Sequence, residues 1–93
     1  MLFRSLHDAN FRSGHSDDVK IVEWTRDGKR ILTCSRDCTA IIWEADSGAM
    51  LHRLDAHTAS ILSLSLSRND TIFVTGSNDS TAIVWDINTG DMI

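Results

Sequence analysis

Thr75-Gly-Ser-Asn-Asp-Ser-Thr-Ala-Ile-Val-Trp-Asp86 repeats, at an offset of 42 positions, the stretch Thr33-Cys-Ser-Arg-Asp-Cys-Thr-Ala-Ile-Ile-Trp-Glu44. Thr, Ser, Asp, Thr, Ala, Ile and Trp recur at the same places, with Ile/Val and Glu/Asp as near matches. The offset also carries His15 to His57, Gly48 to Gly90 and Met50 to Met92. A gapless alignment of residues 15–51 with 57–93 keeps eleven identities in 37 positions. A fixed period in the forties means one supersecondary unit used more than once.

Each cycle reads as short strands joined by polar turns. Gly14-His-Ser-Asp-Asp18 is a turn cluster, and Val19–Trp24 follows as a strand of β-branched and aromatic residues. Asp27-Gly28 between apolar runs marks a hairpin. Arg30–Ser35, Thr39–Glu44 and Ala49–Leu54 complete the first cycle; Ile61–Leu66, Thr71–Ser77, Thr81–Asp86 and a clipped Asp91–Ile93 repeat it. Residues 1–13 are a weakly patterned lead-in with a short strand expected near Asn10–Arg12. The expected units are 14–54 and 55–93. No stretch holds a helical apolar period, so the class is all-β and antiparallel. Runs such as Ile41-Ile42-Trp43 and Ile72-Phe73-Val74 put apolar side chains on both sides of a strand. That pattern fits a sheet stacked between like sheets.

Composition narrows the function. The net charge is −4 with no basic cluster, which argues against nucleic acid as a partner. No apolar run approaches the ~18 residues of a membrane helix, and the start lacks a signal-peptide run. The two cysteines, Cys34 and Cys38, read as free thiols of a reducing, intracellular compartment, cytoplasmic or nuclear. One C-x3-C with scattered histidines does not supply a metal site, and no phosphate loop or paired-carboxylate motif is present, so no cofactor is expected.

Gly14-His15, Trp85-Asp86, a repeat near 42 residues and four strands per cycle together resemble the WD-repeat family of β-propellers. The resemblance covers residues 14–93. Ala56-His57 departs from Gly-His, and Trp43-Glu44 departs from Trp-Asp. It implies two four-stranded antiparallel blades. Such rings have about four to eight blades, so the expectation is an incomplete ring from a larger propeller. Both outer faces of the pair are then expected to be open and apolar, favouring self-association.

The resemblance also implies roles for the recurring polar residues. His15, Thr33, Asp37 and Trp43, and again His57, Thr75, Asp79 and Trp85, are expected to form a structural network. In it the indole bonds the Thr hydroxyl, the hydroxyl bonds the imidazole, and the imidazole bonds the carboxylate. Ser35 and Ser77 are alternatives for the hydroxyl. Repetition argues against catalysis, because a reaction needs one preorganised site. Trp24, which falls where the second copy has Leu66, is expected in the core; His7 and His52 are expected at the surface.

By the same resemblance, protein partners dock on one end of the ring. The family's contact positions fall on Asp18, Lys20 and Arg36 in one unit and on Ser60, Leu62 and Asn78 in the other. The expected function is a non-catalytic interaction scaffold assembling a multiprotein complex. The alternatives are an accessory propeller of a larger enzyme or a ubiquitin-ligase substrate receptor. Against the receptor, Asp46 and Asn88 stand where that subset carries an Arg.

Overall fold

The computed structural model describes residues 14–93; the expected lead-in at 1–13, with its short strand, lies outside the described residues. Seven strands follow one another: β1 (Val19–Trp24), β2 (Arg30–Ser35), β3 (Ala40–Glu44), β4 (Met50–Leu54), β5 (Ile61–Leu66), β6 (Ile72–Ser77) and β7 (Ala82–Asp86). Strands β1 to β4 form one antiparallel sheet in sequence order, and β5 to β7 form a second. The clipped strand expected at Asp91–Ile93 does not form a fourth strand of the second sheet: Trp85 and Met92 make a single bridge beyond β7, and the Ile93 amide donates to the Val84 carbonyl at 2.8 Å. The two sheets do not close a ring.

Register repeats with the sequence. Ile31 faces Trp43 and Thr33 faces Ile41 in the first sheet; Phe73 faces Trp85 and Thr75 faces Ile83 in the second. Each inner strand carries an irregularity one residue in, between Val19 and Ile21 and between Ile61 and Ser63. The Asp27-Gly28 hairpin has Gly28 at φ +72°, where a residue without Cβ is least strained.

Apolar burial holds the sheets together. Leu32, Cys34, Ala40, Ile42 and Leu54 of the first sheet meet Ile61, Phe73, Trp85 and Ile87 of the second, with Ile21, Leu64, Leu66 and Ile83 at the margin. Phe73 and Trp85 stack at 6.5 Å between ring centroids. Ile41, Ile42 and Trp43 are all fully buried, so both faces of β3 are covered, as consecutive apolar residues require. This departs from the expectation of two open faces. On the side of the first sheet away from the second, Ile31, Ile41, Trp43 and Ala45 are closed to solvent, with Met50 packed against them. The far side of the second sheet is more open, with Val74 and Val84 half-buried; past β7, Met92, which pairs with Trp85, and Ile93 are exposed.

Polar contacts fix how the sheets meet. Asp70, at φ +59°, accepts the amides of Arg26 (3.0 Å) and Asp27 (3.2 Å) from the first sheet's hairpin. Arg30 donates to the Asn88 side chain at 2.7 Å. His52 sits over Gly90, where a Cβ would come within 2.7 Å of its ring, and bonds the Asn88 carbonyl at 3.2 Å. His52 is therefore an inter-sheet contact and not the bare surface residue expected. Its role depends on proximity to a turn 36 positions away, which no local pattern encodes.

The Asp70 clamp can be separated from its backbone cost. Asp70→Gly keeps the left-handed conformation and removes the carboxylate, so it should be no more stable than the wild type. Asp70→Ala loses the carboxylate and strains the turn, and should be less stable by about 2 kcal/mol. Urea unfolding followed by tryptophan fluorescence measures both. A clearly stabilised glycine variant would show that the clamp contributes nothing.

Candidate functional site

Two polar relays are built into the sheets. In the first, the Thr33 hydroxyl accepts from the Trp43 indole N–H at 2.8 Å and donates to His15 Nε2 at 2.6 Å. His15 Nδ1 lies 3.1 Å from Asp37 Oδ2 and 3.0 Å from the Thr39 hydroxyl. In the second, Thr75 accepts from Trp85 at 2.9 Å and donates to His57 Nε2 at 2.7 Å, and His57 Nδ1 lies 2.9 Å from Asp79. One tautomer satisfies all these groups: the neutral ring carries its proton on Nδ1 and donates it to the carboxylate.

Each carboxylate holds its own turn as well. Asp37 Oδ1 accepts the amide and hydroxyl of Thr39, and Oδ2 accepts the Ser16 amide at 2.8 Å. Asp79 does the same with Thr81 and with the Thr58 amide at 3.0 Å. These bonds pin Cys38 and Ser80 at φ +76° and +72°, a conformation that costs non-glycine residues about 1–2 kcal/mol. Ser35 and Ser77 take a different partner: their hydroxyls donate to the carbonyls of Asp17 and Ala59. Thr39 and Thr81, to which sequence reasoning gave no role, belong to the relays. Their recurrence at the 42-residue offset was the available signal.

Electrostatics follow from this packing. Burial pulls the His15 imidazole below its ordinary 6.5, beyond what the Asp37 carboxylate restores, with Arg53 acting in the same direction. Burial alone would raise Asp37. Hydrogen bonds from the Thr39 hydroxyl and from the Ser16 and Thr39 amides reverse that and hold it low. The Thr81 hydroxyl, foremost among several donors, holds Asp79 well below the usual carboxylate range. Burial pushes the Cys34 thiol up to about 12, far from nucleophilic use.

The six expected contact residues lie at the end of the sheets where β1 and β5 begin. Asp18, Lys20, Arg36, Leu62 and Asn78 are exposed, and Ser60 is half-buried. The Arg36 amide donates to the Asp18 carbonyl, and the Asn78 amide to that of Ser60, both at 3.0 Å. Arg36 and Asp18 also form a long, mostly exposed ion pair at 3.5 Å. Leu62 is 57% exposed.

Trp24 departs from expectation: it is 47% exposed. It pairs with Ile31, on the side of the first sheet away from the second, whereas Leu66 pairs with Phe73 and faces the inter-sheet core. Among the described residues, no three metal-capable side chains come together and no helix is long and apolar enough to cross a membrane.

Stacked antiparallel sheets of this build are slices of a β-propeller, and solved structures agree. The WD40 repeats of RRP9 superpose with a TM-score of 0.83 at 21% identity, covering 86% of this chain and 26% of that one, a likeness of fold alone. The family model "WD domain, G-beta repeat" matches residues 8–44 and 48–86. The chain belongs to the WD40 repeat family.

Curated relatives include the probable cytosolic iron-sulfur protein assembly protein 1 of Kluyveromyces lactis, 52% identical over 33 residues, 36% of this chain and 10% of that protein. Subunit I of eukaryotic translation initiation factor 3 from the same yeast is 36% identical over 58 residues, 62% of this chain and 17% of the relative. The guanine nucleotide-binding protein subunit beta of Saccharomyces cerevisiae is 32% identical over 59 residues, 63% and 14%. The chain thus spans 10–17% of the length of these relatives.

Two outcomes test the relays. Thr75→Val leaves the Trp85 N–H and His57 Nε2 unpaired in a buried place and should lower stability by about 1–3 kcal/mol, as should His57→Ala or Asp79→Ala. Thr75→Ser should retain most of it, and urea unfolding reads the difference.

The second outcome concerns pH. A folded-state imidazole held below 6.5 stays neutral while the unfolded chain takes up a proton, so stability is full above 6.5 and falls as pH drops through it. Thermal unfolding midpoints should fall between about pH 7.5 and 5.5, and His15→Gln should flatten that slope.

Proposed function

We propose that the chain is a non-catalytic protein-interaction scaffold, part of a β-propeller that helps to assemble a multiprotein complex. The observation that carries this reading is the division between repeated and unrepeated side chains. The relay quartet occurs twice, His15–Thr33–Asp37–Trp43 and His57–Thr75–Asp79–Trp85, with both carboxylates and both imidazoles occupied by internal bonds. A set consumed twice in holding turns is not itself free to serve a reaction.

The rim residues differ between the units: Asp18, Lys20 and Arg36 in one, Ser60, Leu62 and Asn78 in the other. An exposed leucine beside charged and amide-bearing neighbours is the composition of a contact surface with one apolar anchor. Two relatives are named as subunits, of translation initiation factor 3 and of a guanine nucleotide-binding protein, which supports assembly as the general role. The partners are proteins or peptides at this rim, together with further blades of the ring. A net charge of −4 does not favour nucleic acid or an anionic membrane. An intracellular setting, cytoplasmic or nuclear, accords with a relative named as cytosolic and with two unpaired thiols.

Leu62→Asp in the full-length protein should weaken partner binding about tenfold or more while leaving the circular dichroism spectrum unchanged. Quantitative co-purification against the wild type reads this, and a variant that keeps every partner at full yield would remove the rim from consideration.

A further inference from the structure

The hairpin turns at the opposite end of the sheets share the same core set of hydrogen bonds. Thr25 and Ser67 open them, and their amides donate to the Arg30 and Ile72 carbonyls at 3.0 and 2.9 Å. The Gly28 amide closes on the Thr25 carbonyl at 3.0 Å, and the Asp70 amide on Ser67 at 3.2 Å. The Thr25 hydroxyl donates to the Asp27 side chain, and the Ser67 hydroxyl to that of Asn69. Arg26 and Arg68 stand at the same place.

One turn already has a carboxylate on it. The Arg26 and Asp27 amides point at Asp70, which accepts both. Arg68 and Asn69 are exposed, and among the described residues their equivalent amides have no protein acceptor. Nor does the Arg68 guanidinium have a carboxylate partner there.

We propose that the turn Ser67–Asp70 is a second carboxylate-binding site, in which the Arg68 and Asn69 amides and the Arg68 guanidinium receive an Asp or Glu side chain from another polypeptide segment. Paired amides with an adjacent cation suit an anion with two acceptor oxygens. The occupant sits on a sheet stacked against the half-buried Val74 and Val84. Asp70 itself comes from the sheet packed on Leu32 and Ile42, the counterparts of these valines. A second copy of this chain does not fit. Its first sheet offers Gly28 where Asp70 stands, and the Phe73 and Trp85 face of its second sheet is already buried against its own first sheet. The site lies at the opposite end from the rim of Leu62, and neither proposal depends on the other.

The test is amide NMR of the 15N-labelled chain, with acetate replacing chloride at constant ionic strength and acetamide as the neutral control. The Arg68 and Asn69 amides should move with acetate and not with acetamide, while those of Arg26 and Asp27 stay still. In Asp70→Gly, Arg26 and Asp27 should begin to respond as well, which calibrates the size of the effect. Stationary Arg68 and Asn69 amides alongside responsive Arg26 and Asp27 in that variant would overturn the site, as would equal shifts with acetamide. If the variant loses its amide dispersion, the wild-type comparison of acetate with acetamide decides alone. Shifts of Arg68 and Asn69 on raising protein concentration without acetate would assign the carboxylate to a second copy and overturn the choice of occupant.

Discussion

A buried imidazole must bond at both nitrogens, and the molecule is arranged around meeting that demand twice. His15 and His57 are almost fully enclosed, with Thr33 or Thr75 on one nitrogen and Asp37 or Asp79 on the other. Leaving either nitrogen unpaired costs about 1–3 kcal/mol, comparable with what one well-placed apolar side chain gains from burial. The demand reaches outward in both directions. The hydroxyl must also satisfy a tryptophan that fills the core, and the carboxylate must satisfy the amides of the turn it belongs to. One relay thus joins the segment before the inner strand, the middle strand, the third strand and the turn between them. It reconciles an apolar interior with turns that put Cys38 and Ser80 in left-handed conformations.

How much of this the sequence discloses depends on whether a residue's partner lies at a repeated spacing. The strands were legible because β-branched runs alternate with Asp, Asn, Gly and Ser clusters, and the ends of the seven strands differ from the expected ones by at most one residue, as at Ala40 and Met50, while the clipped strand expected at Asp91–Ile93 is only a single bridge. The relay residues could be picked out because each appears in both cycles. Thr39 and Thr81 were as visible as the others, but a threonine at a strand start is unremarkable until its hydroxyl is seen on the aspartate. Trp24 and His52 were misjudged for a different reason. Their surroundings depend on which side of a sheet faces the other sheet, and alternation along a strand leaves that undecided.

The two units share a backbone at the rim and diverge in what they display there. Arg36 and Asn78 make the same amide contact at the same 3.0 Å, to Asp18 and Ser60. Those contacts need only a peptide group, so they place no constraint on the side chain. The relay constrains hydroxyl, imidazole and carboxylate together, and none of its members differs between the cycles. Positions held by backbone can therefore change charge and polarity without disturbing the sheet beneath. That separation lets repeated units of one fold present different chemistry along a single edge.

Apolar burial and polar contacts divide the work of joining the sheets. Leu32 and Ile42 against Phe73 and Trp85 supply attraction, but apolar faces are tolerant of sliding and rotation. Directional bonds at the hairpin end remove that freedom: Asp70 on two amides, Arg30 on Asn88, and His52 on the Asn88 carbonyl above Gly90. Each of these contacts has a turn residue, Asp70 or Asn88, on at least one side, where a residue can change without loss of core. The difference between Gly28 and Asp70 at one equivalent position is a case in point. Glycine meets the backbone requirement at no steric cost, and aspartate meets it less comfortably while adding a carboxylate that only a correctly seated neighbour can use. Tolerating the harder residue makes sense only where the orientation of two sheets is at stake, and Asp70 stands at such a junction.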